Sequence, residues 1–406
     1  MSGVFRSLRH RNARIFFAGI LVSNIGTWLQ ITAMALLVYR LTGRATDVGI
    51  TVALQFLPML VLGAWAGAVA DGRDRRTMAI VTQSALAVQA VALGLIDLAG
   101  AATVPVVWSL TLVLGLLNAF ENPARRGLVT ELVEPHDISN ATSLNTAVMT
   151  GSRIFGPALA TILVDTVGTA WCFLLNGLSY VAVLGSLLVL RREELYPPPL
   201  RPRGGHPVRE ALSFVTARRK LTVLFVVLIL VSTCAINYPV SLPKLADARW
   251  GGEGNFGLVL SVASAGSLLG SLASARLAVV SMRWYLAMIA LLGVSGLGLA
   301  WSPNLGLALV WAVPLGIGGA GFITSATAIT QVECPDDMRG RLLALVAVAF
   351  LGSTPIGGPL TGLVGDRIGA EWALAYGSIV SLIAVAGAVV VLGRPAGHPD
   401  AAIGTR

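Results

Sequence analysis

The chain has 406 residues, 55% of them hydrophobic and 12% charged, with a mean hydropathy of +0.78 and a formal net charge of +9. An ordinary soluble domain carries about 25% charged residues, so a water-soluble globule is excluded. The sequence contains no Gly-x4-Gly-Lys-Ser/Thr phosphate loop, no nucleophile elbow and no clustered His or Cys ligands, which argues against direct ATP drive and against a membrane enzyme.

Apolar runs repeatedly reach the roughly 20 residues that cross a bilayer core of about 30 Å. They predict twelve spans, at approximately 15–39, 48–70, 77–98, 104–121, 141–164, 170–190, 221–241, 256–275, 284–301, 305–330, 341–364 and 371–393. All twelve are expected to be helices, because backbone in lipid must satisfy its own hydrogen bonds. The first span follows Arg6, Arg9, Arg11 and Arg14 and contains Asn24, Trp28 and Gln30. It is too long and too polar for a secretory signal and reads as a retained span. Residues 191–220 hold Pro197-Pro198-Pro199, Pro202, Pro207 and eight basic residues. This reads as a cytoplasmic linker between an N-terminal half at 1–190 and a C-terminal half at 221–406, the latter ending in a short cytoplasmic tail. The stretch from Pro207 to Lys220 is expected to form a short surface helix.

With the N-terminus inside, the cytoplasmic segments hold 23 Lys and Arg and the outer loops hold 5, with Arg153 alone left inside a span. That bias predicts a multi-pass protein of the cell membrane with both termini cytoplasmic. It also accounts for the basic charge: positive loops hold topology and meet anionic lipid, so nucleic acid is not an expected partner. Cys172, Cys234 and Cys334 lie too far apart for a metal or redox motif, and no cofactor is expected.

The chain repeats its own plan. Glu134-Pro135 and Gly156-Pro157 return as Cys334-Pro335 and Gly358-Pro359, offset by 200 and 202 residues, and Trp171 returns as Trp372 at 201. Each copy runs from a polar, proline-marked segment into a long apolar helix that the Gly-Pro pair is expected to break. Two half-chains of similar plan in an apolar protein mark a secondary transporter, whose site lies between the halves.

The loop after the second span reads Gly67-Ala-Val-Ala-Asp71-Gly72-Arg73-Asp74-Arg75-Arg76. It resembles the signature loop between spans two and three of the major facilitator superfamily. Gly26-Thr27-Trp28-Leu29-Gln30, Gln55-Phe56-Leu57-Pro58, Asn122-Pro123-Ala124-Arg125-Arg126 and Arg153-Ile154-Phe155-Gly156-Pro157 extend the resemblance. The longer match is to the drug:proton antiporter-3 branch, which includes enterobactin exporters and macrolide efflux proteins. The chain departs from the pattern in two places. Gly72 stands where a basic residue is expected directly after Asp71, and the mirror loop after Gly270 reaches Arg276 and Arg283 without an acid. An acid–base gating lock is therefore expected on one half only.

The resemblance implies that Gly67 and Asp71, with Arg73, Arg75 and Arg76, clasp the facing half when the transporter opens outward. A loop kept basic for topology alone also explains Arg75 and Arg76. Glu121 and Arg125 are i,i+4 neighbours if their helix continues through Pro123; they are either a solvated helix end or a relay beneath the gate. Arg153 lies near the middle of the bilayer, where a charge costs at least about 2.5 kcal/mol, so it should face a cavity or a partner. It reads as a substrate or coupling residue, against a structural arginine bonded to carbonyls and amides. Asn24, Trp28, Gln55, Asn145, Asn237 and Tyr238 are further candidates for a substrate cavity, each with an alternative role in bridging helices. Gly156-Pro157 and Gly358-Pro359 are expected hinges or close-packing points, and Ser143-x8-Ser152-x3-Gly156-Pro157-x2-Ala160-Thr161 resembles the antiporter motif.

No acid stands plainly at the midplane as a proton carrier. Asp97 and Asp165 sit near outer span ends, Asp47 is placed to cap span two, and Asp366 lies outside with Arg367. The expected fold is an all-α membrane protein of twelve transmembrane helices in two pseudo-symmetric six-helix halves, acting as a monomer. Its expected function is export of amphipathic small molecules by alternating access, with protons as the coupled ion. A dedicated importer, or a membrane sensor or secretion accessory that transports nothing, are the competing readings.

Overall fold

A computed structural model describes residues 3–196, 207–277, 279–335 and 338–393, with the side chains of Val4, Ala64, Asp71 and residues 207–209 excepted. The proline-rich centre of the expected linker and the expected C-terminal tail lie outside the described residues. Among those described, twelve segments are long and apolar enough to cross a membrane. In the first half they are α1 (Arg11–Thr42), α2 (Ala45–Asp71), α3 (Arg75–Leu98), α4 (Val104–Glu131), α5 (Ile138–Thr166) and α6 (Thr169–Val189). A short amphipathic helix, α7 (Pro207–Thr216), occupies the expected surface position in the linker. The second half has α8 (Arg219–Ala235) continuing as α9 (Tyr238–Arg249), then α10 (Phe256–Ala275), α11 (Met282–Ala300) and α12 (Leu305–Glu333). It closes with α13 (Arg339–Leu351) continuing as α14 (Thr354–Arg367), and α15 (Trp372–Gly393).

Within the first half α1 packs on α5 and α6, α2 on α4, and α3 on α4 and α6; within the second, α12 packs on α10 and α11, and α15 on α8 and α11. The halves meet chiefly along α2 with α14 and α5 with α10. We call the face where α1 begins and α15 ends the basic face, and the other the far face.

The expected breaks at Gly-Pro are corrected. Helix α5 runs unbroken through Gly156-Pro157, and α14 runs unbroken through Gly358-Pro359. A membrane helix tolerates proline where neighbours re-satisfy or pack around the freed backbone. Here the proline removes the donor for the Arg153 carbonyl four residues earlier, and the helix is backed at that point by α10, whose Gly257 packs against the Pro157 carbonyl and Thr161. The real interruptions are at Ile236-Asn237 and Gly352-Ser353, each just ahead of a proline in the first turn of the next helix, Pro239 and Pro355. Proline fits a helix start; at Ile236-Asn237 the backbone leaves helical geometry, whereas Gly352 and Ser353 keep helical dihedrals and only the hydrogen bonding around Pro355 is interrupted. Both interruptions are in the second half. Their counterparts α1 and α5 are continuous.

The far face is closed. Gly43, at φ 67, ends α1 in a left-handed turn and delivers the chain straight into α2. The expected cap at Asp47 is corrected: Asp366 of α14 caps α2 from the other half. Its carboxylate accepts from the Ala45 and Thr46 backbone N–H at 3.0 and 2.8 Å and from Thr46 Oγ1 at 2.6 Å, and it pairs with Lys244 at 2.6 Å. One turn inward α2 and α14 meet backbone to backbone: a methyl group at Gly358 would lie 2.8 Å from the Gly49 carbonyl oxygen. Tyr39 donates to Asp247 at 3.0 Å, Arg40 pairs with Glu253 at 2.5 Å, and Thr161 donates to the Gly254 carbonyl at 2.9 Å, all across the halves.

On the basic face each described ion pair stays within one half or its adjoining linker: Arg75–Glu131, Glu121–Arg125, Lys220–Glu333 and Arg341–Glu210. Side chains added at Gly63, Gly67 or Gly151 would meet nothing within 4 Å. The protein is sealed at the far face and open at the basic one.

This geometry predicts the effect of a bulky residue at the seal. Gly49→Leu should cost the closed far face about 1–3 kcal/mol by overpacking, a 5- to 150-fold shift in the balance of states. The measurement is labelling of Thr150→Cys by an impermeant thiol reagent from the far face, in a background lacking Cys172, Cys234 and Cys334. Labelling from that face should rise at least fivefold; unchanged labelling would show that the glycine contact does not hold the seal.

Candidate functional site

Between the halves lies a cavity of about 170 Å³, bordered by Thr150 and Arg153 of α5 and by α9, α10, α12 and α13. Gly156, three residues beyond Arg153 on α5, sets what stands beside the arginine. The missing side chain there lets α1 bring Trp28 against α5, since a methyl group would collide with Trp28 Cβ. The indole then lies beneath the guanidinium of Arg153, whose Cζ stands 5.1 Å from the ring centroid. Arg153 makes no ion pair or hydrogen bond among the described residues, and its Nε is fully buried without an acceptor. Across the cavity Tyr238, 7% exposed, opens α9 just after the break, and its buried hydroxyl also lacks a partner. One turn before Trp28, Asn24 presents an unpartnered buried Nδ2.

The remaining sequence candidates fall elsewhere. Asn237 is buried, but its Nδ2 is spent on the Thr233 carbonyl at 2.7 Å, tying off the last turn of α8 against Gly357 of α14. It holds the break open rather than facing the cavity. Asn145 lies two turns before Arg153, with Nδ2 3.8 Å from Met149 Sδ, the same sulfur that Arg125 Nη1 approaches at 3.8 Å. It therefore neighbours the Glu121–Arg125 pair. Gln55 is half-buried on α2, where Gly115 of α4 packs on its backbone carbonyl. Gly358 and Pro359 belong to the far-face seal, and Gly156 with Pro157 to the crossing of α1, α5 and α10.

Helix α4 continues through Pro123, so Glu121 and Arg125 do pair, at 2.8 Å, with side chains only 6% and 9% exposed. Gln83 of α3 donates to the same Glu121 oxygen at 3.0 Å. This is a buried junction of α3, α4 and α5 rather than a solvated helix end. At the signature loop, Arg75 pairs with Glu131 at 2.8 Å. Arg76 donates to the carbonyls of Leu187 and Leu188 at 2.7 and 2.9 Å, tying the start of α3 to the end of α6. Asp74 caps α3, accepting from Arg76 N–H and Thr77 Oγ1. Its partial burial would raise its pKa, but those hydrogen bonds and nearby Arg192 hold the carboxyl below its usual range. Arg73 is exposed, Gly67 faces open space, and the side chain of Asp71 lies outside the described residues.

Two features escape the sequence reading. A buried chain of amides runs from Asn176 Nδ2 to Gln30 at 2.5 Å and from Gln30 Nε2 to Gln89 at 3.1 Å, joining α6, α1 and α3. The far-face residues Tyr39, Arg40, Lys244, Asp247, Glu253 and Asp366 form the closure. A signal for them exists: four of the five far-face cations pair with acids, Arg40 with Glu253, Arg44 with Asp47, Lys244 with Asp366 and Arg249 with Glu371. Arg249 hydrogen-bonds Glu371 and holds its carboxyl below the ordinary value.

The sequence profile of a family described as a transmembrane secretion effector matches residues 2–401. The staphyloferrin A transporter of Staphylococcus aureus (strain NCTC 8325 / PS 47) is 22% identical over 362 residues, covering 88% of this chain and 90% of that protein. The multidrug efflux pump Tap of Mycolicibacterium fortuitum is 28% identical over 370 residues, covering 87% and 89%. Macrolide efflux protein A of Streptococcus pyogenes is 23% identical over 383 residues, covering 91% and 93%. Among solved structures, the nucleoside transporter NupG superposes with a TM-score of 0.71 at 12% identity, covering 95% of this chain and 100% of that one. A bacterial homologue of the iron transporter ferroportin in an inward-facing state gives 0.69 at 17% identity, covering 94% and 97%. At such identities the solved structures speak to the fold alone, twelve helices in two six-helix halves.

The buried pair carries its own prediction. Glu121→Gln leaves Arg125 buried without its counter-charge and should cost about 3–5 kcal/mol, lowering the unfolding midpoint of the purified protein by about 4–6 °C. Replacing both residues with Met should recover most of the loss. An unaltered midpoint for Glu121→Gln would remove the pair from the list of structural elements.

Proposed function

Because the chain belongs to the transmembrane secretion effector family of the major facilitator superfamily, and is thus a multi-pass membrane transporter of small molecules rather than an enzyme, we propose that it exports amphipathic cargo by alternating access coupled to inward proton flow. The observation that carries this reading is the cavity at Arg153. It lies at the boundary between the halves, beneath a sealed far face, with unpartnered polar groups from both sides of that boundary. Two bodies, residues 1–190 and 221–406 with 191–220 as linker, rock about it. With both termini in the cytoplasm, as the 23-to-5 distribution of Lys and Arg supports, the far face is extracellular and the protein stands open inward. In that state the ion pairs of the signature loop lie within the first half. In the outward-open state Asp71 and Arg73 clasp the second half while the Asp366 cap on α2 is released.

Export is favoured over uptake by the relatives named as efflux pumps. Inverted membrane vesicles, energised and then given siderophores, macrolides and cationic dyes one at a time, test the reading. At least one cargo should dissipate the pH gradient with the wild-type protein, and Arg153→Gln should lower that flux at least tenfold while the protein still inserts and folds. Full flux in Arg153→Gln would remove the arginine from the mechanism. Accumulation of cargo by intact cells would reverse the direction.

A further inference from the structure

Resting on the transport reading above, we propose that the central cavity takes an anionic cargo, a carboxylate or a group of like charge with an apolar body, and excludes lipophilic cations. Arg153 is the one charged residue that borders the cavity among those described, and no Asp or Glu lines it. Arg153 is partly buried and its Nε wholly so; a cation drawn out of water without a counter-ion is expensive, and proteins ordinarily pair it. Elsewhere this chain does so: Arg125 has Glu121, Arg75 has Glu131 and Lys244 has Asp366.

The one partner Arg153 has supplies no oxygen acceptor: its Cζ lies over the Trp28 ring, 5.1 Å from the centroid, a contact that meets the charge but not the N–H groups. Those donors form a planar fork suited to two oxygens of one carboxylate. Tyr238, more than nine-tenths buried, brings a free hydroxyl to the same cavity. The nearby hydroxyls of Ser264 and Ser267 already donate to their own helix, to Leu260 at 2.8 Å and Ala263 at 3.0 Å. Donors therefore gather around Arg153 and Tyr238, joined by the hydroxyls of Thr150 and Ser271, while Leu260, Leu315, Ile323 and Phe350 give the wall its apolar part. A cationic drug would meet like charge and no acid.

The test measures binding apart from transport. The purified full-length protein is placed in nanodiscs of phosphatidylcholine alone, so that no anionic headgroup competes, and its thermal unfolding is followed with 2-naphthoate, 2-naphthamide and a naphthyl trimethylammonium. Naphthoate should bind at least tenfold more tightly than either of the others. Arg153→Gln should lose that preference at least tenfold while its affinity for the amide stays unchanged. Without ligand, its unfolding midpoint should equal or exceed that of the wild type, because the unpaired charge is gone; a merely structural arginine would lower it.

Tighter binding of the ammonium, no stabilisation by naphthoate up to its solubility, or an anion preference that survives Arg153→Gln would each overturn the proposal. Phosphatidylglycerol added to the nanodiscs should leave the naphthoate affinity unchanged; competition by it would assign the site to a lipid headgroup. If naphthoate binds as described but vesicles export nothing, the efflux reading fails and the anion site stands. Proton-linked export confined to cationic dyes would keep efflux and sink the anion site.

Discussion

The contact of α2 with α14, the most extensive between the two halves, turns on one carboxylate. Asp366 sits at the end of one helix of the second half and accepts from the first N–H groups of α2 in the other, while Lys244 balances its charge. A helix start leaves its first N–H groups without partners and carries partial positive charge. In most proteins a residue of the same segment meets that need; here it is met across the interface. The seal, the placement of Gly49 against Gly358 and the enclosure of the cavity beneath them all follow from α2 and α14 being held together at this point.

The two halves are built differently. The first is cross-linked internally by polar groups whose needs are mutually met, the amide chain from Asn176 through Gln30 to Gln89 and the junction of Gln83, Glu121 and Arg125. In an apolar surrounding, satisfied networks of this kind hold helices in register. The second half has its equivalent helices interrupted at Asn237 and Ser353. A stiff body thus faces one with two joints, and the cavity lies where the joints of one meet the Arg153 face of the other.

Much of this is legible in the sequence because the bilayer is a strict solvent. Twelve apolar runs give twelve spans because backbone in lipid has no other partner than itself, and Arg153 stands out because a charge in mid-span is costly wherever it points. What is not legible depends on contacts between distant segments. Nothing local to Asp366 says that it caps α2, some 320 residues earlier. The Gly-Pro pairs advertise a break, yet neighbours pack around them and the helix continues, while Pro239 and Pro355 end one helix and begin the next. Asn237 stands next to Tyr238 in the sequence, but the backbone of the broken helix claims its amide.

The lone cation at the centre has an electrical meaning. An empty cavity that holds Arg153 without a counter-ion carries positive charge within the low-dielectric core, and any change of state that moves this charge through the transmembrane field does work. The full field is worth about 2.3 kcal/mol per elementary charge for each 100 mV, so even a fraction of it biases the return of the unloaded carrier. On the proposed anion site, cargo seated on the guanidinium would cancel that charge, so the contribution of Arg153 to voltage dependence would fall on the step made without cargo.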